Sequence, residues 1–107
     1  MASTLGFVKY VAEQLQDAGK ITYRRMFGEY GLYCNGIFFS VVCDDQFFVK
    51  ITSEGENAFP YLPKSPPYKG ARDYFLVEDI DDRELMEKLA KVTCSALQTP
   101  KPKKRRD

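Results

Sequence analysis

Residues 21–51 read ITYRRMFGEYGLYCNGIFFSVVCDDQFFVKI, and the punctuation of this stretch decides the fold. Four short runs rich in β-branched and aromatic residues, 21–27, 30–34, 37–43 and 46–51, are divided by Gly28, by Asn35-Gly36 and by Asp44-Asp45. Such runs suit the pleated, half-buried surface of a sheet. Asn-Gly between two apolar runs marks a type I′ turn, because both central residues of that turn need positive φ. The stretch predicts an antiparallel meander of four strands.

Working outward, the period changes on both sides. Residues 4–18 read as an amphipathic helix with Leu5, Val8, Ala12 and Leu15 as its stripe. Ser3 or Thr4 caps its start, and Gly19 stands where a left-handed residue would end it. On the other side, Ser53 to Phe59 suggests a short helix. The stretch PYLPKSPPYKG then holds four of the six prolines and reads as a surface loop. Residues 72–78, RDYFLVE, predict a fifth strand. Asp81 followed by Glu84 has the spacing of a capping box, after which Leu85, Leu89, Val92 and Ala96 trace a second helical stripe up to the stop at Pro100. The expected class is α+β: a two-layer sandwich with a mostly antiparallel five-stranded sheet and the N- and C-terminal helices on one face. Residues 1–99 form one domain in this reading, and 100–107 form a disordered basic tail.

Composition narrows the functions available. A chain of 107 residues can hide roughly 65% of its unfolded surface, enough for one real core. No apolar run approaches the ~20 residues of a membrane span. The start, MASTLGFVKYVAEQL, lacks the basic and apolar regions of a secretory signal, so a cytoplasmic protein is expected. Histidine is absent, which removes imidazole ligands and the commonest general base. The net charge of +1 hides an asymmetry: residues 101–107 hold five bases and one acid, leaving 11 bases and 14 acids, a charge of −3, in residues 1–100. A mildly acidic domain is poorly suited to electrostatic nucleic-acid binding. Cys34, Cys43 and Cys94 are odd in number and far apart, and read as reduced core thiols rather than metal ligands.

Few constellations carry chemistry. Gly28-Glu29-Tyr30-Gly31 matches the G-x-x-G of a KH domain in letters, but here it joins two strands and includes a carboxylate. There is no phosphate-cradling or nucleophile-elbow motif. Glu78, Asp79, Asp81 and Asp82 cluster before the last helix, where capping and the helix dipole account for them. Lys50, within an apolar strand, is either a desolvated amine or a chain that snorkels to solvent from the outer face of the sheet. Lys101, Lys103, Lys104, Arg105 and Arg106 offer a nucleic-acid contact or a solubilising terminus.

At YRRMFGEYGLYCNG the sequence resembles the N-terminal domain of the TfoX/Sxy family, with Arg24, Met26, Phe27, Gly28, Gly31, Leu32, Tyr33 and Gly36 filling the places of its pattern. The similarity continues through Phe48-Val49-Lys50, Pro67-Tyr68, Gly70 and Tyr74-Phe75, covering roughly residues 4–98. The resemblance implies a two-layer α/β sandwich with an antiparallel sheet. It also implies a bacterial regulatory role, since full-length members resemble competence regulators that assist the cyclic-AMP receptor protein at some promoters. Those members carry a second, helical domain, whereas this chain continues into the basic tail. No catalytic residue or cofactor comes with the resemblance.

The leading expectation is a non-enzymatic regulatory or interaction domain that acts through a protein partner, with transcription machinery as one candidate. The alternatives are a small protein that binds nucleic acid weakly through its tail, and a small enzyme using Lys50 or a carboxylate. Phe38 and Phe48 alternate out of phase with Ile37, Phe39, Phe47 and Val49, so aromatic surface is expected on the face away from the helices, and with it a homodimer. Pleat phase separates Arg24 from Arg25. Arg25 shares a face with Ile21, Tyr23 and Phe27 and is expected to be partly buried beside Glu29 or Glu78. Arg24 is expected on the open face, as a partner contact together with Lys50 and Tyr30.

Overall fold

The computed structural model describes residues 4–26 and 29–98. In chain order the elements are α1 (Leu5–Leu15), a 3₁₀ turn (Gln16–Ala18), β1 (Ile21–Met26), β2 (Glu29–Cys34), β3 (Ile37–Cys43), β4 (Gln46–Val49), α2 (Ser53–Ala58), β5 (Lys64–Ser65), β6 (Tyr74–Val77) and α3 (Arg83–Gln98). The strands form one sheet in the order β1-β2-β3-β4-β6-β5, with every neighbouring pair antiparallel. The α+β sandwich expected from the sequence is present, with six strands in place of five.

The sixth strand lies inside the proline-rich stretch. Lys64 and Ser65 pair with Phe75 and Tyr74 at the sheet's outer edge, and the Leu76 N–H donates to the Pro63 carbonyl at 2.8 Å. Proline lacks a donor, so Pro63 and Pro66 confine this strand to two residues on an edge.

The meander forms as its turns require. Asn35 and Gly36 have φ of 53° and 83°, the positive pair of a type I′ turn. Asp44 and Asp45, at 54° and 56°, make the same kind of turn without glycine. Asp45 compensates in part: its Oδ1 accepts from the Thr4 N–H at 2.8 Å and ties the turn to the start of α1. Thr4 itself caps the helix, its Oγ1 accepting from the Phe7 N–H.

Three helix details depart from the sequence reading. The buried stripe of α1 is Val8, Val11 and Leu15 with Gln14, whereas Leu5 is exposed. Gln14 is drawn in by its bond to the Ile80 carbonyl, 3.0 Å, which rotates the stripe away from Ala12. Gly19 adopts φ 156° rather than the left-handed helical well; what it supplies there is clearance, since a Cβ would lie 2.9 Å from both Cys34 Sγ and Asn35 Nδ2. The cap of α3 is Asp82, whose Oδ1 accepts from the Leu85 N–H at 3.0 Å, while Asp81 accepts from the Tyr10 hydroxyl and so clamps α1 to the start of α3.

A β-bulge sets the two faces of the sheet. Leu32 pairs with Ser40, but Tyr33 pairs with Phe38, so Phe39 is the extra residue. Simple alternation from Ile37 would turn Ser40 outward and Val41 inward. The bulge reverses both. Phe39, Val42, Phe47, Val49, Phe75 and Val77 therefore meet Val8, Val11, Leu15, Met86 and Leu89 of the helices in one core. Ser40 is buried on the same side, opposite Leu32 and Val49.

Candidate functional site

The face of the sheet turned away from the helices is built in rows by the strand register. Arg24, Gly31, Val41, Phe48 and Leu76 stand opposite one another across β1, β2, β3, β4 and β6. A neighbouring row runs from Thr22 through Tyr33 to Phe38. There the Tyr33 and Phe38 rings lie 5.5 Å apart, and the Lys50 ammonium sits 4.6 Å above the centre of Phe38. A cation held over an aromatic ring at this distance is attracted by the ring quadrupole.

Arg24 is exposed on this open face, as its pleat phase implied. Lys50 is half-buried on the same face, but β1 and β4 are three strand spacings apart, about 14 Å, so the two cations are not neighbours. Tyr30 is on the other face. It stands opposite Arg25 and Val42, packs against the core and meets the edge of Tyr23 at 6.2 Å. The structure thus separates the three residues that the sequence grouped.

Two further expectations are corrected. Arg25 shares the helix-facing side of β1 yet is exposed, on the strand that forms the sheet's edge. It needs no buried carboxylate. Phe48 is only 2% exposed and Phe38 is half-buried, so the open face does not present the aromatic surface expected of it. Met26 closes β1 opposite Glu29, while Phe27, Gly28 and the tail cations Lys101, Lys103, Lys104, Arg105 and Arg106 lie outside the described residues.

Sequence reasoning missed the contribution of β6. At the end of the open face Phe38, Lys50, Ile51, Arg72, Asp73, Tyr74 and Leu97 surround a cleft of about 540 Å³. Burial holds the Lys50 amine below its ordinary value, and the Arg72 charge lowers it further. Burial also pushes the Tyr74 hydroxyl up, with the charges of Tyr68 and Glu29 adding to it. An Arg-Asp pair before an apolar strand was the available signal, but nothing local ties it to Lys50, which is more than twenty residues earlier. Among the described residues no group of His, Cys, Asp or Glu converges to hold a metal ion, and no helix is long and apolar enough to cross a membrane.

Leu32 in the core, Gly31 buried beside Val41, and Gly36 in its turn all occupy positions of the motif noted in the sequence. Residues 13–97 match the TfoX N-terminal domain. The chain belongs to this family. A relative from Spirochaeta aurantia, described as an uncharacterized 12.7 kDa protein in the trpE 5′ region, is 32% identical over 105 residues, 97% of this chain and 91% of that protein. Seen on the fold of this TfoX N-terminal domain, the motif serves two ends. Leu32 and Gly36 maintain the sheet, whereas Arg24 and Tyr33 face outward from it.

Proposed function

We propose that this TfoX-type domain is a cytoplasmic, non-enzymatic regulatory module that works by protein contact through the open face of its sheet, with transcription machinery as the partner class. The observation that supports this reading most is the placement of Arg24. It is an exposed guanidinium of the family motif, on a rigid strand, beside the buried row Gly31, Val41 and Phe48. An exposed arginine on a rigid strand is a residue type that anchors protein interfaces. Self-association belongs to the same proposal, since a second copy is one partner that such a face can take.

A photo-crosslinking side chain at position 24 tests it in the native host. The expected result is a discrete protein adduct that is absent when the probe sits at Lys88, on the exposed side of α3. Adducts of the chain with itself would identify the homodimer. No adduct at position 24, or the same adducts at both positions, would refute contact through this face. The tail supports a second reading through its charge alone. Duplex binding with a log K against log salt slope of about −4 to −5, lost when residues 100–107 are removed, would establish it.

A further inference from the structure

The cleft at the end of the open face has a chemistry that protein contact does not require. Its volume of about 540 Å³ is that of a pocket for a metabolite-sized ligand. Two of its lining groups, Lys50 and Arg72, are cations that face the same cleft, and the Arg72 charge adds to burial in lowering the Lys50 amine. Neither takes part in an ion pair among the described residues, where lysines 64, 88 and 91 form the bridges. Asp73 at the rim offsets one of the two charges, leaving the cleft at +1. Lys50 is half-buried and Arg72 exposed, so the repulsion between them is felt mainly at the buried amine, and an anion between them would relieve it. The remaining walls are flat or apolar: the Phe38 ring beneath the Lys50 ammonium, Tyr74, Ile51 and Leu97.

We propose that this cleft binds a small organic anion, with one carboxylate or phosphate group between Lys50 and Arg72 and a flat apolar body against Phe38 and Tyr74. The site is too small for a folded partner, and the proposal does not rest on the reading of Arg24. An anion held there relieves the repulsion between the cations, so the Lys50 amine returns toward its ordinary value when the site fills. Asp73 opposes the ligand's charge and weakens its binding.

The test is amide and lysine-methylene NMR on the full chain at low salt, titrated separately with benzoate, adenosine monophosphate, inorganic phosphate and the neutral analogue benzamide. At least one of the two ring-bearing anions should shift resonances at residues 38, 50, 72 and 74 in a saturable way and raise the pH at which the Lys50 amine titrates. Benzoate alone identifies a carboxylate ligand, and adenosine monophosphate alone a phosphate ligand. Lys50→Met and Arg72→Gln should each weaken binding about tenfold, equivalent to about 1.4 kcal/mol. Arg72 is exposed, so its substitution leaves the fold intact and keeps the test valid if Lys50→Met does not fold. Asp73→Asn should tighten binding about two- to fivefold by removing an opposing charge at a part-exposed site. The proposal is overturned if neither ring-bearing anion binds at millimolar concentration, if benzamide binds equally well, if inorganic phosphate matches both ring-bearing anions, or if binding survives Arg72→Gln unchanged.

Discussion

Glu29 carries the sharpest single-residue conflict in the protein. Its Oε1 is out of reach of water and accepts no hydrogen bond among the described residues, and burial pushes its carboxyl above the ordinary value. The folded state therefore holds this proton more tightly than the unfolded chain does. Ionised Glu29 opposes folding at neutral pH; the penalty lifts as pH falls through the raised folded value and is gone below the ordinary carboxylate range. Glu29→Gln should melt higher than the parent at about pH 7, and the gap should close on acidification toward about pH 4. Melts across that range decide it, and a lower melting temperature for the variant at neutral pH would show that the carboxylate is stabilising. At this scale the sequence was readable in direction but not in depth. Pleat phase placed Arg24 and Arg25 on opposite faces, which the register bears out, yet it could not show that β1 is an edge strand on which Arg25 stays exposed.

Among the elements, the β2–β3 turn does more than reverse the chain. The Asn35 N–H donates to the Lys20 carbonyl at 2.8 Å, and the Asn35 Oδ1 accepts from the Lys20 N–H at 2.9 Å. The turn is thereby fastened to the junction between α1 and β1. Asn35→Gly keeps the positive φ but loses the side-chain bond, and should lower stability by about 0.5–1.5 kcal/mol. Asn35→Ala loses the bond and also forces a Cβ residue without local hydrogen bonding into the left-handed region, adding roughly 1–2 kcal/mol. Urea midpoints rank the three proteins; an alanine variant as stable as the glycine variant would mean that the backbone there relaxes. The turn itself was legible from two letters, Asn-Gly. Its second role was not, because Lys20 reaches it only after α1 packs against the sheet.

At the scale of the whole molecule the three thiols report how the core opens. Cys34 on β2 and Cys94 on α3 are both buried, and the Cys94 thiol is pushed up to about 12 by burial and by its contact with Cys34. Cys43 is half-buried on the open face, where burial, Glu29 and Asp44 raise its thiol as well. The thiolate is the reactive form, so modification of Cys43 and Cys94 is slowed. With iodoacetamide at about pH 8, Cys43 should be alkylated from the native state, whereas Cys34 and Cys94 should react only when the sheet and α3 separate. Peptide mapping over time checks this. Cys94 modified as fast as Cys43 without denaturant would mean that α3 opens locally. All three were read from the sequence as reduced core thiols; all three are free, but only Cys34 and Cys94 belong to the core, since the bulge-shifted register puts Cys43 on the open face. Which of them shares an environment was invisible there, since the answer depends on how α3 crosses the sheet.

What the sequence by itself determined is what a few consecutive residues can enforce. A positive-φ turn at Asn35-Gly36, helical spacing in α1 and α3, and short apolar runs between polar breaks each act within one element. They sufficed for the α+β class and the meander. The tertiary structure decided everything that needs two distant segments to meet. The bulge at Phe39 reversed the faces that simple alternation would give Ser40 and Val41, because only the β2 partner sets its register. Lys64 and Ser65 became a strand because β6 offered an open edge. Lys50, Arg72 and Phe38 share a cleft because β3, β4 and the start of β6 end side by side, with Leu97 of α3 closing the rim. Such contacts lower the free energy only once the intervening chain has been ordered, so no local pattern announces them.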